Sequence, residues 1–186
     1  MKIKSSQHLN STQVNQLLNH LHRKGHDFYY IYVKISIHTA LRFNDLRTIT
    51  WGQLLNRPLV TIIESKTKKI REVPIPPELQ REILYAYNKI QPPGLASKFI
   101  SLTIRTINKQ IKIHAYRAGI RDKRISTHTW RKTFGREVWR RNNKSEESLV
   151  ILSQLFNHSS LSITRTYLDI TREEVLQLYD LKGFMD

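Results

Sequence analysis

One short β-branched stretch constrains the fold, because most other periodic segments of the sequence are helical. Residues 59–64 read Leu-Val-Thr-Ile-Ile-Glu, and a second short run, residues 72–75, follows a polar, lysine-rich connection. β-Branched residues favour strands, and so short a connection suits an antiparallel pair. The sequence therefore predicts a hairpin with Lys66, Lys68 and Lys69 near its tip.

The remaining segments predict helices from their apolar spacing and their capping residues. Asn10-Ser11 precedes one apolar face, Gly25 ends it, and a capping box begins at Thr171. A short helix is expected after the capping residues Ser159 and Ser160. The other predicted helices cover residues 12–24, 27–40, 78–89, 101–117, 128–142, 146–156 and 171–181. The predicted fold class is mostly α with a small antiparallel β-sheet, an α+β fold.

The length of the chain suits one globular domain. With 186 residues it is long enough to bury a core, yet too short for a second domain of ordinary size. No repeat, low-complexity tract or long linker divides it. We therefore expect residues 1–186 to form one domain and the basic residues to belong to its folded body.

The charge of the chain indicates its partner. Thirty-one Lys and Arg against fifteen Asp and Glu leave a formal charge of +16, which favours a polyanion, with nucleic acid as the first candidate. No apolar run approaches the roughly 20 residues that span a bilayer, and the first residues do not resemble a signal peptide. The absence of cysteine excludes disulfides and thiolate metal sites. The expected location is the cytoplasm, in association with the nucleoid.

Attack on a phosphodiester needs a nucleophile, donors to the phosphate oxygens and an acid for the leaving oxygen. Arg42 lies where a mostly apolar helix ends and a polar helix begins, and a guanidinium donates two parallel hydrogen bonds to phosphate. His128 and Arg131 are three residues apart near a helix N-terminus, where backbone N–H groups favour anions. The alternative for Arg42 is an ordinary ion pair with Asp45 or another carboxylate. The alternative for the helix that carries His128 and Arg131 is a packing role.

The C-terminal part supplies a candidate nucleophile. An apolar helix stops at Asn157, a residue that tolerates a left-handed C-cap, and His158 follows directly. Tyr167 comes nine residues later, although a packing role is the alternative for any one of eight tyrosines. Lys66 on the hairpin is a candidate general acid, as are Lys68 and Lys69, and the alternative is a solvated turn.

Taken in order, the segments ALRFNDL, SKTKKIREVPI, HTWRKTF, FNHSS and TRTY resemble the catalytic-domain signature of the tyrosine recombinases, the phage integrase family. The resemblance extends over about residues 10–181. The family's motifs are an A/G-L-R-x-x-E/D-L box, a hairpin lysine, H-x-x-R, a G-H-S/T box and a tyrosine nine residues after that box's histidine. Their catalytic positions are occupied here by Arg42, Lys66, His128, Arg131, His158 and Tyr167.

The resemblance implies a reaction without a metal or a nucleotide cofactor. Tyr167 would attack the scissile phosphate and form a 3′-phosphotyrosine, while Arg42 and Arg131 neutralise the developing charge. Lys66 would protonate the leaving 5′ oxygen, and the two histidines would support the phosphate and the proton transfers. Asp45 matches the acidic position of the first box and is expected to have a structural role.

The sequence departs from the family pattern in three respects. Asn157 replaces the usual glycine, which is a mild change because asparagine also accepts positive φ. Thr129-Trp130 stands where small polar residues and leucine are common, and these 186 residues leave no room for the N-terminal core-binding domain of most members, as expected of either a fragment or a naturally short member. The short fimbrial phase-variation invertases are similar in organisation, so inversion of DNA is one expected outcome.

The expected partners follow from the same resemblance. They are double-stranded DNA and, on that DNA, further copies of the chain in a homo-tetramer, with a monomer in solution. Helix 171–181 would contact a neighbouring protomer or dock on its own domain. A type IB topoisomerase and a catalytically silent DNA-binding protein are the alternative functions, and the choice among integration, excision, inversion and dimer resolution stays open.

Overall fold

The computed structural model describes residues 5–121 and 123–171, and its helices and strands follow the predicted order. In chain order they are α1 (Ser11–Arg23), α2 (Asp27–Thr39), α3 (Phe43–Leu46), α4 (Trp51–Leu55), β1 (Leu59–Ile63), β2 (Ile70–Pro74), α5 (Pro77–Ile90), α6 (Ile104–Arg117), α7 (Thr127–Arg141), α8 (Glu146–Phe156) and α9 (Leu161–Tyr167). The prediction of a mostly helical chain with a small antiparallel sheet is confirmed.

Some predicted boundaries were wrong. Helix α6 begins at Ile104 instead of residue 101, because the Thr103 hydroxyl caps it by accepting the Thr106 N–H at 3.1 Å. The four-residue helix α3 is the polar helix expected after Arg42, whereas the five-residue helix α4 was missed because so short a segment shows no apolar period. The helix predicted at 171–181 lies outside the described residues from residue 172 onward.

The hairpin pairs β1 with β2 in antiparallel register, from Leu59 opposite Pro74 to Ile63 opposite Ile70. Strand β2 begins two residues earlier than predicted, because residues 70 and 71 continue the pairing into the lysine-rich connection. Val60, Ile62 and Val73 face the core and are buried, whereas Ile63 and Ile70 are exposed. The inner face of the hairpin is therefore fixed by packing.

The backbone groups into two compact units, Met1–Phe134 and Gly135–Asp186. The first contains a large apolar core, in which Trp51, Tyr32, Phe99 and Trp130 are the bulkiest fully buried side chains. Organisation as one domain over residues 1–186 stays a prediction. No helix in residues 5–121 and 123–171 is long and apolar enough to cross a membrane.

In the second unit, a glycine allows close packing around the end of α9. A Cβ atom at Gly135 would lie 2.7 Å from Leu168 Cδ2 and 3.1 Å from two ring atoms of Phe156. Real Cβ atoms essentially never approach another atom to 2.7 Å, so a larger residue here would displace the Leu168 side chain. Because Leu168 directly follows Tyr167, this contact bears on the position of the tyrosine.

In the first unit, three histidines from α1, α2's N-terminus and α6 are packed together. The ring centroids of His26 and His114 are 4.4 Å apart, and those of His20 and His114 are 5.8 Å apart. His114 is buried, and its Nδ1 has no hydrogen-bond partner among the described residues. Burial, and then the charges of His26, His20 and Arg117, lower the pKa of His114 to about 4.

We expect this cluster to make the protein acid-sensitive. The folded-state pKa of His114 is lower than the value of about 6.5 for an unfolded chain, so the unfolded chain binds more protons between these values. The free energy of unfolding should therefore fall as the pH falls from about 6.5 towards 4, by about 2 kcal/mol at pH 5. Urea unfolding at pH 7 and pH 5 measures this loss.

Two variants separate the contribution of His114 to the pH dependence of stability from that of other titrating groups. His114→Leu should lose less stability than the wild type between pH 7 and pH 5, because it cannot take up the proton. His22→Leu is the matched control, since His22 is exposed on α1, and it should keep the wild-type pH dependence. Equal pH dependence of the wild type and His114→Leu would contradict the prediction.

Candidate active site

Arg42 lies at a sharp junction between two helices. Helix α2 ends at Thr39, and Ala40 adopts a left-handed conformation with φ 49°, its N–H bonded to the Ser36 carbonyl. A small residue suits this position, because a bulkier side chain is strained at positive φ. Arg42 is then extended, with φ −67° and ψ 150°, as the N-cap of α3. The short turn thus places the arginine at the end of a buried helix.

Two other guanidinium groups hold this junction in place. Arg131 Nη1 donates a hydrogen bond to the Ala40 carbonyl at 2.6 Å, and Arg71 Nη2 donates one to the Thr39 carbonyl at 2.6 Å. Arg131 comes from α7 and is only 4% exposed, so it is fixed by its surroundings. The junction therefore brings Arg131 beside the backbone that carries Arg42.

A buried carboxylate lies among these arginines. Glu64 follows β1 on the inner face of the hairpin, and its side chain is 1% exposed. Arg42 Nη1 donates to Glu64 Oε2 at 3.3 Å, and Arg71 Nη1 lies 3.6 Å from Oε1. The ion pair considered as the alternative for Arg42 is thus present, and Glu64 is a closer partner than Asp45, which lies at 4.0 Å.

The surroundings of Glu64 keep it charged. Burial alone would raise its pKa, but the hydrogen bond from Thr67 and the positive charges of Arg42, Arg71 and Arg131 outweigh burial and lower the pKa below its ordinary value. The Thr67 hydroxyl donates to Oε2 at 2.7 Å. The carboxylate is therefore an anion within a cluster of three guanidinium groups.

The turn that carries Lys66 is attached to α3 through Asp45. Buried Asp45 accepts the Ser65 N–H at Oδ1, at 2.7 Å, which agrees with a structural role for this residue. Across the turn, the Glu64 carbonyl accepts the Lys68 N–H at 2.9 Å. Lys66, Lys68 and Lys69 are all exposed here. The choice of Lys66 as general acid therefore stays a prediction.

His128 lies in the first turn of α7, one turn before Arg131. Its N–H is bonded to the Ser126 hydroxyl at 3.2 Å, and the residue is exposed at the surface. Partial burial of the ring within this exposed residue, followed by the charges of Arg131, Lys132 and Arg42, lowers the pKa of His128 below its ordinary value. The protonated imidazole is therefore disfavoured, and the neutral ring has one nitrogen that can accept a hydrogen bond.

In the second unit, Asn157 ends α8 as predicted. It is left-handed, with φ 50° and ψ 50°, which explains how asparagine replaces glycine before the histidine. His158 follows, and its Nδ1 lies 2.9 Å from Thr164 Oγ1 in α9. The Ser160 hydroxyl caps α9 by accepting the Ile163 N–H at 3.3 Å. These contacts fix the imidazole against the next helix.

The spacing of nine residues brings His158 and Tyr167 into contact. Helix α9 begins three residues after His158 and ends at Tyr167, and the two ring centroids are 5.2 Å apart with an interplanar angle of 73°. Phe156 packs edge-on against Tyr167 with centroids 5.7 Å apart. The candidate nucleophile is therefore held by two rings from the residues around the end of α8.

Sequence reasoning missed Glu64, Thr67 and Arg71 as members of this site. A signal for Glu64 was available in the strand alternation. Val60 and Ile62 face the core, so the next residue of the same face, Glu64, is also directed inwards. A buried carboxylate requires a cationic partner, and the neighbouring strand supplies Arg71.

The residues and elements match a known protein family. The family model described as "Phage integrase family" matches residues 7–174, most of the chain. The chain belongs to the phage integrase family. This integrase-family chain is accordingly a tyrosine-type DNA strand transferase, a class of enzyme that breaks and rejoins DNA. The family predicted from the motifs is confirmed.

Curated relatives carry names from the same family. The chain is 30% identical over 177 residues to the probable integrase/recombinase YoeC of Bacillus subtilis, covering 92% of this chain and 93% of the relative. It is 28% identical over 142 residues to the tyrosine recombinase XerH of Campylobacter jejuni, covering 73% of this chain and 39% of that protein. These names favour a recombinase over a topoisomerase.

Solved structures share the fold of this integrase-family chain. XerH bound to palindromic difH substrate matches with a TM-score of 0.69 and 19% identity, covering 94% of this chain and 53% of that one. The catalytic domain of bacteriophage HP1 integrase matches with a TM-score of 0.59 and 20% identity, covering 96% of this chain and 98% of that one. The chain thus spans about half of the XerH chain and nearly all of the HP1 catalytic domain.

Proposed function

We propose that this chain is a site-specific recombinase that cleaves and rejoins double-stranded DNA through a phosphotyrosine at Tyr167. The observation that carries the proposal is the junction at Ala40, where Arg131 binds the backbone that presents Arg42. Family membership, and the contact between His158 and Tyr167 in the second unit, add support.

In the cleavage step, the Tyr167 oxygen attacks the scissile phosphorus, and its proton passes to a histidine or to water. The bond to the 5′ oxygen breaks, which leaves a 3′-phosphotyrosine on one side and a 5′-hydroxyl on the other. Arg42 and Arg131 hold the non-bridging oxygens, because guanidinium groups stabilise the negative charge that develops there. Lys66 gives its proton to the leaving 5′ oxygen.

In the rejoining step, a 5′-hydroxyl of another strand attacks the phosphotyrosine, and the tyrosine leaves with a proton. The number of phosphodiester bonds is conserved, so the reaction needs no external energy source. His128 and His158 assist as hydrogen-bond and proton-transfer partners of the phosphate. The lowered pKa of His128 favours the neutral ring, which can donate a hydrogen bond from one nitrogen and accept one at the other.

The test begins with a pool of nicked duplexes that have a randomised central sequence. DNA that becomes covalently attached to the protein is recovered and sequenced, and the enriched sequence defines a selected duplex. Two differently labelled selected duplexes should then exchange strands in the presence of the chain. Relaxation of supercoiled DNA without strand exchange would favour the topoisomerase alternative, and absence of any adduct would contradict both enzymatic functions.

One exposed face of α6 is suited to contact the DNA backbone. The face is a basic stripe formed by the cations Arg105, Lys109 and Lys112 and extended by Tyr116. These residues follow one another at helical spacing and are all exposed. Residues 104–121 contain no aspartate or glutamate. The Arg121 guanidinium lies 5.1 Å from the Tyr116 ring centroid, which extends the positive charge beyond the helix.

We expect the double substitution Lys109→Ala/Lys112→Ala to weaken DNA binding in a salt-dependent manner. Each lost phosphate contact should reduce the slope of log affinity against log salt by about 0.9, hence by about 2 for both lysines. Fluorescence anisotropy with a labelled duplex at several salt concentrations measures the slope. Arg81→Ala/Lys89→Ala on α5 is the control, because these exposed cations share their helix with Glu78 and Glu82.

The assembly follows from the proposed reaction. Exchange between two duplexes needs two cleaved strands from each, so we propose a homo-tetramer on DNA formed from monomers in solution. A lambda integrase tetramer bound to a Holliday junction is among the matched structures, at 13% identity and a TM-score of 0.64. Integration, excision or inversion of a DNA segment at the nucleoid is the proposed outcome. Light scattering with and without the selected duplex measures the stoichiometry.

A further inference from the structure

Glu64 is a buried acid in a strongly basic chain, and no step of the proposed reaction uses it. Its side chain is 1% exposed, and it contacts groups from three parts of the first unit. These are Arg42 at the start of α3, Arg71 in β2 and Thr67 in the turn that also carries Lys66. One carboxylate therefore connects a phosphate-binding arginine with the hairpin turn.

The charge of Glu64 distinguishes it from a packing residue. A carboxylate is costly to bury, and only charged or hydrogen-bonding partners offset that cost. Here the Thr67 hydroxyl and the Arg42 guanidinium converge on the same oxygen, Oε2, at 2.7 and 3.3 Å. A guanidinium carries five N–H donors, so a contact through Nη1 restricts its orientation without using its full donor capacity.

We propose that Glu64 is a positioning residue for strand cleavage, whose carboxylate holds the Arg42 guanidinium and the Lys66 turn in one fixed arrangement. The inference rests on the proposed function, because it acts through Arg42 and Lys66. It differs from a purely structural ion pair, which would affect folding alone. It also differs from a competitor for the phosphate, whose removal would strengthen DNA binding.

The principal experiment uses Glu64→Gln, which keeps the shape and an oxygen acceptor but removes the charge. Single-turnover cleavage of the selected duplex at saturating protein should slow on the order of 10- to 100-fold, because a small displacement of a reacting group has such an effect. The dissociation constant for the intact duplex should change by less than about three-fold, since general attraction comes from many other cations. Glu72→Gln is the matched control, because Glu72 is an exposed acid on the opposite face of the same hairpin, and it should cleave at the wild-type rate.

A double-mutant cycle tests whether Glu64 acts through Arg42. Glu64→Gln combined with Arg42→Lys should cleave no more slowly than Arg42→Lys alone, because the positioned group is already lost. If Glu64→Gln does not fold, as judged by its thermal melt, Glu64→Asp takes its place. Glu64→Asp keeps the charge but withdraws it by one methylene, and should show the same slower cleavage with little change in affinity.

The outcomes that overturn the inference are distinct from failure of the proposed function. Cleavage by a folded Glu64 variant at the wild-type rate or faster, additive effects in the cycle, or tighter binding of DNA by Glu64→Gln would overturn the inference alone. If the wild type forms no covalent adduct, the proposed function fails and the inference with it. Tyr167→Phe provides the blank for every cleavage measurement.

Discussion

Tyr167→Phe should abolish the covalent protein–DNA adduct while leaving the fold and DNA binding intact. The substitution removes the attacking oxygen but keeps the ring that packs against His158 and Phe156. Without a nucleophile no phosphotyrosine forms, so the expected loss exceeds about 10⁴-fold, on the scale of losses from removing nucleophiles in other enzymes. Denaturing gel electrophoresis of the nicked selected duplex measures the adduct.

Tyr85→Phe is the control for the loss of a phenol elsewhere. Tyr85 is 48% exposed on α5, away from the basic stripe of α6, and its hydroxyl has no place in the proposed chemistry. This variant should form adduct at the wild-type rate. Peptide mapping of the wild-type adduct should place the DNA on Tyr167, and an adduct that persists in Tyr167→Phe would show that another residue is the nucleophile.

Arg131→Ala should remove most cleavage activity and lower stability to a modest extent. The guanidinium stabilises the charge on the phosphate, and loss of one such donor slows catalysis by about 10²- to 10³-fold in other enzymes. Arg131 also donates to the Ala40 carbonyl, so its loss should reduce the free energy of unfolding by about 1–3 kcal/mol. Single-turnover cleavage and thermal melting measure the two effects separately.

The affinity for DNA distinguishes a catalytic from a binding role for Arg131. One cation among a net charge of +16 contributes little to general attraction, so Arg131→Ala should bind the duplex almost as well as the wild type. Arg140→Ala is the matched control, since Arg140 is exposed on the same helix and should leave cleavage unchanged. Parallel losses of binding and cleavage in Arg131→Ala would contradict a specifically catalytic role.

Several candidate catalytic residues lie at or next to the terminus of a helix. Arg42 is at the N-cap position of α3, His128 is the second residue of α7, and Tyr167 is the last residue of α9. Helix termini are fixed by their capping bonds, so these side chains start from well-defined backbone positions. The position of His158 depends on a cap in the same way, because the left-handed conformation of Asn157 sets the direction of the chain after α8.

The fold was largely predictable because its signals are local. Helices α1, α2, α5, α7 and α8 each have an apolar face or a cap that can be recognised within about ten consecutive residues. The start of β2 was not predictable in the same way. Ile70 and Arg71 are paired with Ile63 and Ile62 across the hairpin, whereas the adjacent lysines favour a loop when the chain is considered alone.

The reaction class was also predictable, because the motifs are short and their order along the chain is specific. The hairpin lysine is different, since Lys66, Lys68 and Lys69 are all exposed at one turn and only chemistry on bound DNA distinguishes them. Roles for these residues therefore depend on the cleavage experiments, whereas family membership follows from the match over residues 7–174.

By itself, the sequence determined the helical class, the position of the hairpin, the candidate catalytic residues and the family. Only the tertiary structure revealed that Glu64 connects Arg42 with Arg71 and Thr67, and that Arg131 binds a carbonyl 91 residues away. Periodicity shows which face of a helix or strand is buried, but it does not show which other element packs against that face. Contacts between distant residues follow from packing of the whole core, and these contacts determine where each charge is held.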